Sequence, residues 1–148
     1  MHAYFRTVLC GALAVAFAAQ AAPASAAFSY LTPAQAKAQR CLQSNKAGNY
    51  SSSLQICLDA AAAFKQAGDA EKRNPWYSYE VEGKMLEVAA NDYAALGKHR
   101  QALDTALQAH QLLLFVYRTY KMDEDDYAGI SAVTARLAQF EAVERRKV

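Results

Sequence analysis

The stretch from Arg40 to Cys57, RCLQSNKAGNYSSSLQIC, decides the fold because it places a Gly-Asn pair midway between two cysteines. Gly48 and Asn49 suit a turn, and the apolar residues around them recur at intervals of three and four, which is typical of helices. Cys41 and Cys57 each lie eight residues from Asn49. An antiparallel helical hairpin therefore brings them level, about 12 Å from the turn at ~1.5 Å per residue.

Two interpretations of Cys41 and Cys57, which lie at the same distance from the turn, remain open. In an exported protein the geometry favours a disulfide between Cys41 and Cys57 that clamps the hairpin. Closing a loop of about 15 residues stabilises a fold by roughly 3 kcal/mol when only chain entropy is counted. The alternative is a pair of reduced, buried cysteines that act as small hydrophobic residues.

The first 26 residues have the layout of a secretory signal peptide. Arg6 precedes an apolar run from Val8 to Ala19, and the stretch closes on the small residues Ala24-Ser25-Ala26. The run is shorter than the roughly 20 residues of a spanning helix, and an uncleaved anchor is the alternative. We expect cleavage after this ending, a mature domain over residues 27–148 with no stable membrane span, and a periplasmic or secreted location. The short signal and its A-x-A ending are typical of bacteria.

The charge of the mature chain is nearly balanced. The sequence has 16 Lys and Arg against 14 Asp and Glu, so removing Arg6 with the signal leaves a net charge of +1. A nucleic-acid binder concentrates basic residues on one face. We therefore expect no nucleic-acid partner.

Outward from the hairpin, breakers and caps divide the chain into five helices. Thr32-Pro33 opens the first helix, with Gln35 placed to complete a capping box, and Gly48 ends it. The others are expected over Ser51 to Ala67, stopped by Gly68; from the Asn74-Pro75 cap to Gly97; from Lys98 to Lys121; and from Asp123 or Glu124 onward. The run Leu112 to Tyr117 is apolar on every side, which indicates a helix sandwiched between neighbours. The predicted class is all-α.

The chain also repeats itself at an offset of 49 residues. AGNYSSSLQICLDA from Ala47 aligns with LGKHRQALDTALQA from Leu96, and this alignment places Gly48 on Gly97. Each glycine follows one helix and begins the turn into the next. The unit of the fold is therefore a pair of antiparallel helices.

The second unit resembles the tetratricopeptide repeat family, in which small and large residues occupy fixed positions of a helix-turn-helix. The matching residues are Leu86, Ala89, Ala90, Tyr93, Ala102 and Ala106. The first unit keeps the glycine turn and the small positions, with Lys37, Arg40, Cys41, Ser44, Ser53 and Cys57 in the pattern. The spacing is 49 rather than 34, and two units plus a closing helix replace the usual minimum of three. The resemblance implies a short bundle or solenoid of five helices.

The resemblance also implies a binding face. In that family the first helix of each unit lines a groove, where polar side chains hold a protein or peptide ligand. The second unit then offers Lys84, Glu87 and Asn91. The first offers Gln35, Leu42 and Asn45.

No set of residues assembles a convincing catalytic or metal site, and we expect no cofactor. His99 and His110 are 11 residues apart, about 16 Å along a helix at the standard rise, which is too far to bind one metal ion. His110 falls on a leucine stripe and is expected inside, and His99 is expected to be solvated in the turn. The acidic run Asp123 to Asp126 lacks the ligand spacing of an EF-hand loop and suits a helix cap.

Three function hypotheses follow. The first is an exported, noncatalytic helical-repeat module that binds a protein or peptide partner. The second is a structural envelope protein that associates with itself through exposed apolar faces. The third, an enzyme, requires a pocket that gathers His110 with a carboxylate.

Overall fold

The computed structural model describes residues 32–148, and in this range the chain forms five α-helices and no strand. They are α1 (Pro33–Lys46), α2 (Tyr50–Ala70), α3 (Trp76–Ala95), α4 (His99–Thr119) and α5 (Glu124–Glu144). The predicted all-α class is confirmed. The predicted signal peptide and its cleavage point lie outside the described residues.

The starts of α1 and α5 are set by side-chain caps. Thr32 accepts a hydrogen bond from the Gln35 amide at 3.3 Å, and the Gln35 side chain accepts one from the Thr32 amide at 2.9 Å, which completes the predicted capping box. Asp123 caps α5 by accepting from the Asp126 amide at 3.0 Å. The predicted cap at Asn74 is wrong, because α3 starts after Pro75 without a side-chain cap.

Glycine has two different uses here. Gly48 and Gly97 have φ of 76° and 72°, the left-handed region that glycine adopts without strain, and both end a helix as predicted. Gly68 was expected to end α2, but it lies inside that helix, which continues to Ala70. A Cβ at Gly68 would lie 2.6 Å from a ring carbon of Tyr79. Gly68 therefore permits close packing of α2 on α3.

Each helix packs chiefly against the helices next to it in sequence, and two contacts between alternate helices complete the fold. α1 also touches α3, and α3 also touches α5, whereas α2 and α4 do not meet. The helices α1, α3 and α5 thus form a row along one side of the domain. α2 and α4 fill the spaces between them on the other side.

Small residues allow this close approach, and larger ones fill the remaining interior. The small members of the core include Ala60, Ala89, Ala106 and Ala109, and the large members include Phe64, Leu86, Leu113, Ile130 and Leu137. The predicted run on α4 is buried only in part. α4 packs between α3 and α5 as predicted. Leu113 and Val116 are fully buried there, whereas Phe115 and Tyr117 remain 48% and 43% exposed.

The first hairpin is closed by the predicted disulfide. Cys41 of α1 and Cys57 of α2 are bonded, with their Cα atoms 4.8 Å apart, and both are fully buried. Ser53 donates a hydrogen bond to the Cys41 carbonyl at 3.3 Å. The reduced-pair alternative is not the state of this structure.

Candidate partner-binding face

Lys84, Glu87 and Asn91 lie on one side of α3. Their spacing of three and four residues places them on a single helix face, while Leu86, Ala89 and Ala90 bury the opposite face in the core. The Lys84 side chain is 40% exposed, and Asn91 is also exposed. The three predicted residues therefore share a surface on the row of odd-numbered helices.

Glu87 is joined to α5 by an ion pair that sequence reasoning missed. Arg136 donates from Nε and Nη2 to the two carboxylate oxygens of Glu87, at 2.9 and 3.0 Å. This two-point geometry matches the planar guanidinium to the carboxylate. The hydrogen bonds to Glu87 also raise the pKa of Arg136. The charge of Glu87 is therefore already neutralised within the domain.

The repeat offset contained a signal for this pair. Arg136 follows Glu87 by 49 residues, which is the spacing between the two aligned units. The two residues therefore occupy corresponding places on α3 and α5 when the chain is aligned with itself at this offset. The same offset carries Asn91 onto Phe140.

Glu87 and Arg136 flank a groove between α3 and α5, called the α3–α5 groove below. Its lining residues are Glu87, Asn91, Arg136, Leu137, Gln139, Phe140 and Val143, and its volume is about 390 Å³. Leu137 is buried and Val143 is 48% exposed. The groove thus combines an apolar wall on α5 with a polar rim on α3, and its volume falls within the about 300–1,000 Å³ typical of ligand sites.

The other two α3 residues also make internal contacts. The Lys84 ammonium lies 2.5 Å from the carboxylate of Glu80, one helical turn earlier. Asn91 donates its side-chain N–H to the Glu87 carbonyl at 2.9 Å. A partner that uses these groups must share or displace these contacts.

The predicted residues of α1 do not join the α3–α5 groove. Asn45 donates to the fully buried carboxylate of Asp92 on α3 at 2.7 Å, which ties the end of α1 to α3. Asp92 Oδ2 also lies 3.8 Å from Cys57 Sγ, a contact rather than a hydrogen bond because a disulfide sulfur carries no proton. Gln35 belongs to the cap of α1, and Leu42 is 48% exposed.

Both histidines pair with glutamates of α5. His110 Nδ1 lies 2.7 Å from Glu141, and His99 Nδ1 lies 2.8 Å from Glu144. The expectation that His99 is solvated in the turn is therefore wrong, since it is the first residue of α4 and holds a buried carboxylate. Burial raises the pKa of Glu144, but hydrogen bonds from Lys147 and His99 outweigh it and lower the pKa overall.

These His-Glu pairs connect α4 to α5. Neither pair lines the α3–α5 groove. Among residues 32–148, no group of three or more His, Cys, Asp or Glu side chains is placed to hold a metal ion. The acidic run at the start of α5 acts as the cap and first turn of that helix.

Comparisons with known proteins give no relative for this chain. No family model, no curated protein and no solved structure matches it. Over residues 32–148, none of the helices combines the length and the apolar character needed to traverse a bilayer.

Proposed function

We propose that this protein is an exported, noncatalytic helical-repeat module, similar to the tetratricopeptide repeat family, that binds a protein or peptide partner in the bacterial envelope. The α3–α5 groove is the observation that carries the proposal. It lies between consecutive first helices of the repeat, where that family binds its ligands, and it offers apolar surface beside charged and amide groups.

Export is supported by the state of the cysteines. The Cys41–Cys57 disulfide is buried and clamps the first hairpin. Disulfides persist outside the reducing cytoplasm. Together with the signal-like first 26 residues, this favours a periplasmic or secreted protein.

Five helices give a short binding surface. Of the residues carried over from the repeat family, Glu87 and Asn91 line the α3–α5 groove. Lys84 lies on the same face of α3, three residues before Glu87, and does not line it. Gln35 and Asn45 of α1 make the structural contacts described above, so we place the main contact area on α3 and α5. A partner that seats an apolar side chain against Phe140 and Val143 would bury the wall of the groove.

Affinity capture from an envelope extract tests this proposal. The bait is the oxidised protein, beside a Lys84→Ala/Glu87→Ala/Asn91→Ala variant and a Phe140→Ala/Val143→Ala variant. We expect a partner that the parent recovers and both variants lose. An Arg118→Ala variant is the control, because this exposed residue lies in the last turn of α4 and does not line the groove. A partner retained by both groove variants would remove the groove from the proposal.

Self-association is a second candidate, favoured by one observation. Phe115 and Tyr117 are about half exposed on α4, away from the α3–α5 groove. Light scattering over a range of concentrations distinguishes the two functions. A mass that rises with concentration in the parent, and stays constant in a Phe115→Ser/Tyr117→Ser variant, would favour the structural role.

A further inference from the structure

The face that contains the α3–α5 groove changes in charge along its length. The apolar wall of the groove lies in the second half of α5, where Phe140 and Val143 line it. The other end of the same helix begins with the acidic run Asp123 to Asp126. A partner that lies along this face therefore meets an apolar end and an acidic end.

The acidic end includes a residue of α3. Desolvation raises the pKa of Asp126, and the negative charges of Asp123 and Glu80 raise it further. Glu80 lies in the first half of α3, is 5% exposed and pairs with Lys84. Since Glu80 acts on Asp126 while Glu87 pairs with Arg136 further along, α3 and α5 run in the same direction and their starts lie together.

The acidic run carries more charge than the start of a helix needs. The helix dipole places roughly half a positive charge there, whereas the run has four carboxylates. Over residues 32–148, none of the four forms an ion pair, and neither does Lys121 just before them. In the middle of the face, by contrast, Glu87 and Arg136 neutralise each other. The acidic end therefore has negative charge left to attract a cationic ligand.

The width of the α3–α5 groove favours an extended ligand over a helical one. Arg136 reaches across from α5 to Glu87 of α3 with N–O distances of 2.9 and 3.0 Å. A helix with its side chains is about 10–12 Å across. The groove can therefore take side chains from a segment that lies over it, but not the body of a third helix.

We propose that the α3–α5 groove binds an extended peptide segment of a partner protein, with a large apolar side chain at one end and Lys or Arg at the other. The inference rests on the proposed function and names the class of partner. The apolar side chain packs on Phe140 and Val143, and the cationic side chain lies beside the acidic run. Asp126 and Phe140 are 14 residues apart, about 21 Å along α5 at ~1.5 Å per residue. An extended chain covers this distance in about six or seven residues at ~3.3 Å per residue.

A library of random 12-residue peptides displayed on phage tests this inference. The oxidised protein is the target, and a parallel selection on the Phe140→Ala/Val143→Ala variant identifies the peptides that need the groove. We expect these peptides to contain an aromatic or large aliphatic residue and, about six or seven positions away, an excess of Lys and Arg.

An Asp125→Asn/Asp126→Asn variant then tests the role of charge with synthetic copies of the selected peptides. It removes two charges from the acidic run and leaves the cap at Asp123 in place. We expect the Kd to rise about fivefold at low salt and less at high salt, because salt screens exposed charges. The matched control is Asp59→Asn/Asp104→Asn, which makes the same changes at exposed positions of α2 and α4 outside the groove. We expect this control to change the Kd by less than about twofold.

The possible results separate this inference from the proposed function. Peptides that need the groove but lack an excess of Lys and Arg, or that bind the Asp125→Asn/Asp126→Asn variant as tightly as the parent, would overturn the inference alone. Basic peptides that bind equally well to the Phe140→Ala/Val143→Ala variant would also overturn it, because charge would then account for all of the binding. If no selected peptide needs the groove, both the inference and the proposed function are contradicted.

Discussion

Arg136 of α5 and Glu87 of α3 form a two-point ion pair across the α3–α5 groove, with N–O distances of 2.9 and 3.0 Å. Arg136 is 58% exposed and Glu87 only 15%. The pair joins α3 and α5, two helices that are not consecutive in sequence. It also sets the charge at one edge of the groove.

Breaking this pair should have a small effect on stability. Exposed ion pairs contribute about 0.2–1 kcal/mol, since water and salt screen them. We expect Arg136→Ala to lower the free energy of unfolding by about 1 kcal/mol. A double-mutant cycle with Glu87→Ala, measured by urea unfolding, should give a coupling energy of about 0.5–1 kcal/mol. Zero coupling at low salt would show that the pair does not form in solution.

Gly83 and Gly129 should respond in opposite directions to the same substitution. A Cβ at Gly83 on α3 would lie 2.7 Å from Leu113 Cγ on α4, whereas nothing lies within 4 Å of one at Gly129 on α5. Overpacking of this kind costs about 1–3 kcal/mol, so Gly83→Ala should destabilise the domain. Gly129→Ala should stabilise it by up to about 1 kcal/mol, because alanine favours helices. Urea unfolding measures both, and equal effects would contradict the packing of α3 on α4.

The disulfide should supply a large part of the stability of the first hairpin. We expect Cys41→Ala/Cys57→Ala to lower the free energy of unfolding by about 2–5 kcal/mol. Reductant should destabilise the parent by a comparable amount. The control is the double variant itself, in which reductant should change nothing. A parent whose stability is the same with and without reductant would contradict the structural role of the bond.

Glu82 should make stability fall as pH rises. It lies on α3 and is 6% exposed, and burial raises its pKa to about 7, while Lys65 lowers this pKa and Asp69 raises it by smaller amounts. Between pH ~4.5 and ~7 the folded protein therefore binds more protons than the unfolded chain, so the free energy of unfolding decreases through this window and levels off above it.

Glu82→Gln should remove this decrease. At pH 8 the variant should be more stable than the parent by up to about 3 kcal/mol, because a tenfold change in proton affinity between the folded and unfolded states corresponds to about 1.4 kcal/mol. Below pH ~4.5 the two proteins should converge. Urea unfolding from pH 4 to 8 measures the difference. Glu124→Gln, at an exposed position in the first turn of α5, is the control. The same profile in both variants would show that Glu82 does not titrate in this window.

Local chemistry was sufficient to predict most of the fold. The cap at Thr32, the turns at Gly48 and Gly97 and the equal spacing of the cysteines are encoded within a few residues. Gly68 misled the prediction because its small size serves contact with Tyr79 on another helix rather than a helix end. The apolar run correctly predicted that α4 lies between two neighbours, but hydrophobicity alone did not reveal that Phe115 and Tyr117 stay exposed.

The candidate site was predicted only in part, since its key contacts join distant residues. The face of α3 followed from helical spacing. The Glu87–Arg136 and His-Glu pairs depend on how α5 packs on α3 and α4, and no local pattern encodes that packing. The 49-residue offset was the one available signal, because it carries Glu87 onto Arg136.

Site-specific photocrosslinking in the native host tests the central claim most directly. A photoreactive residue replaces Val143 inside the α3–α5 groove or Phe115 outside it, two positions that are each 48% exposed. We expect a discrete partner adduct, identified by mass spectrometry, from Val143 and none from Phe115. Equal adducts from both positions, or adducts from Phe115 alone, would contradict the assignment of the α3–α5 groove as the binding face.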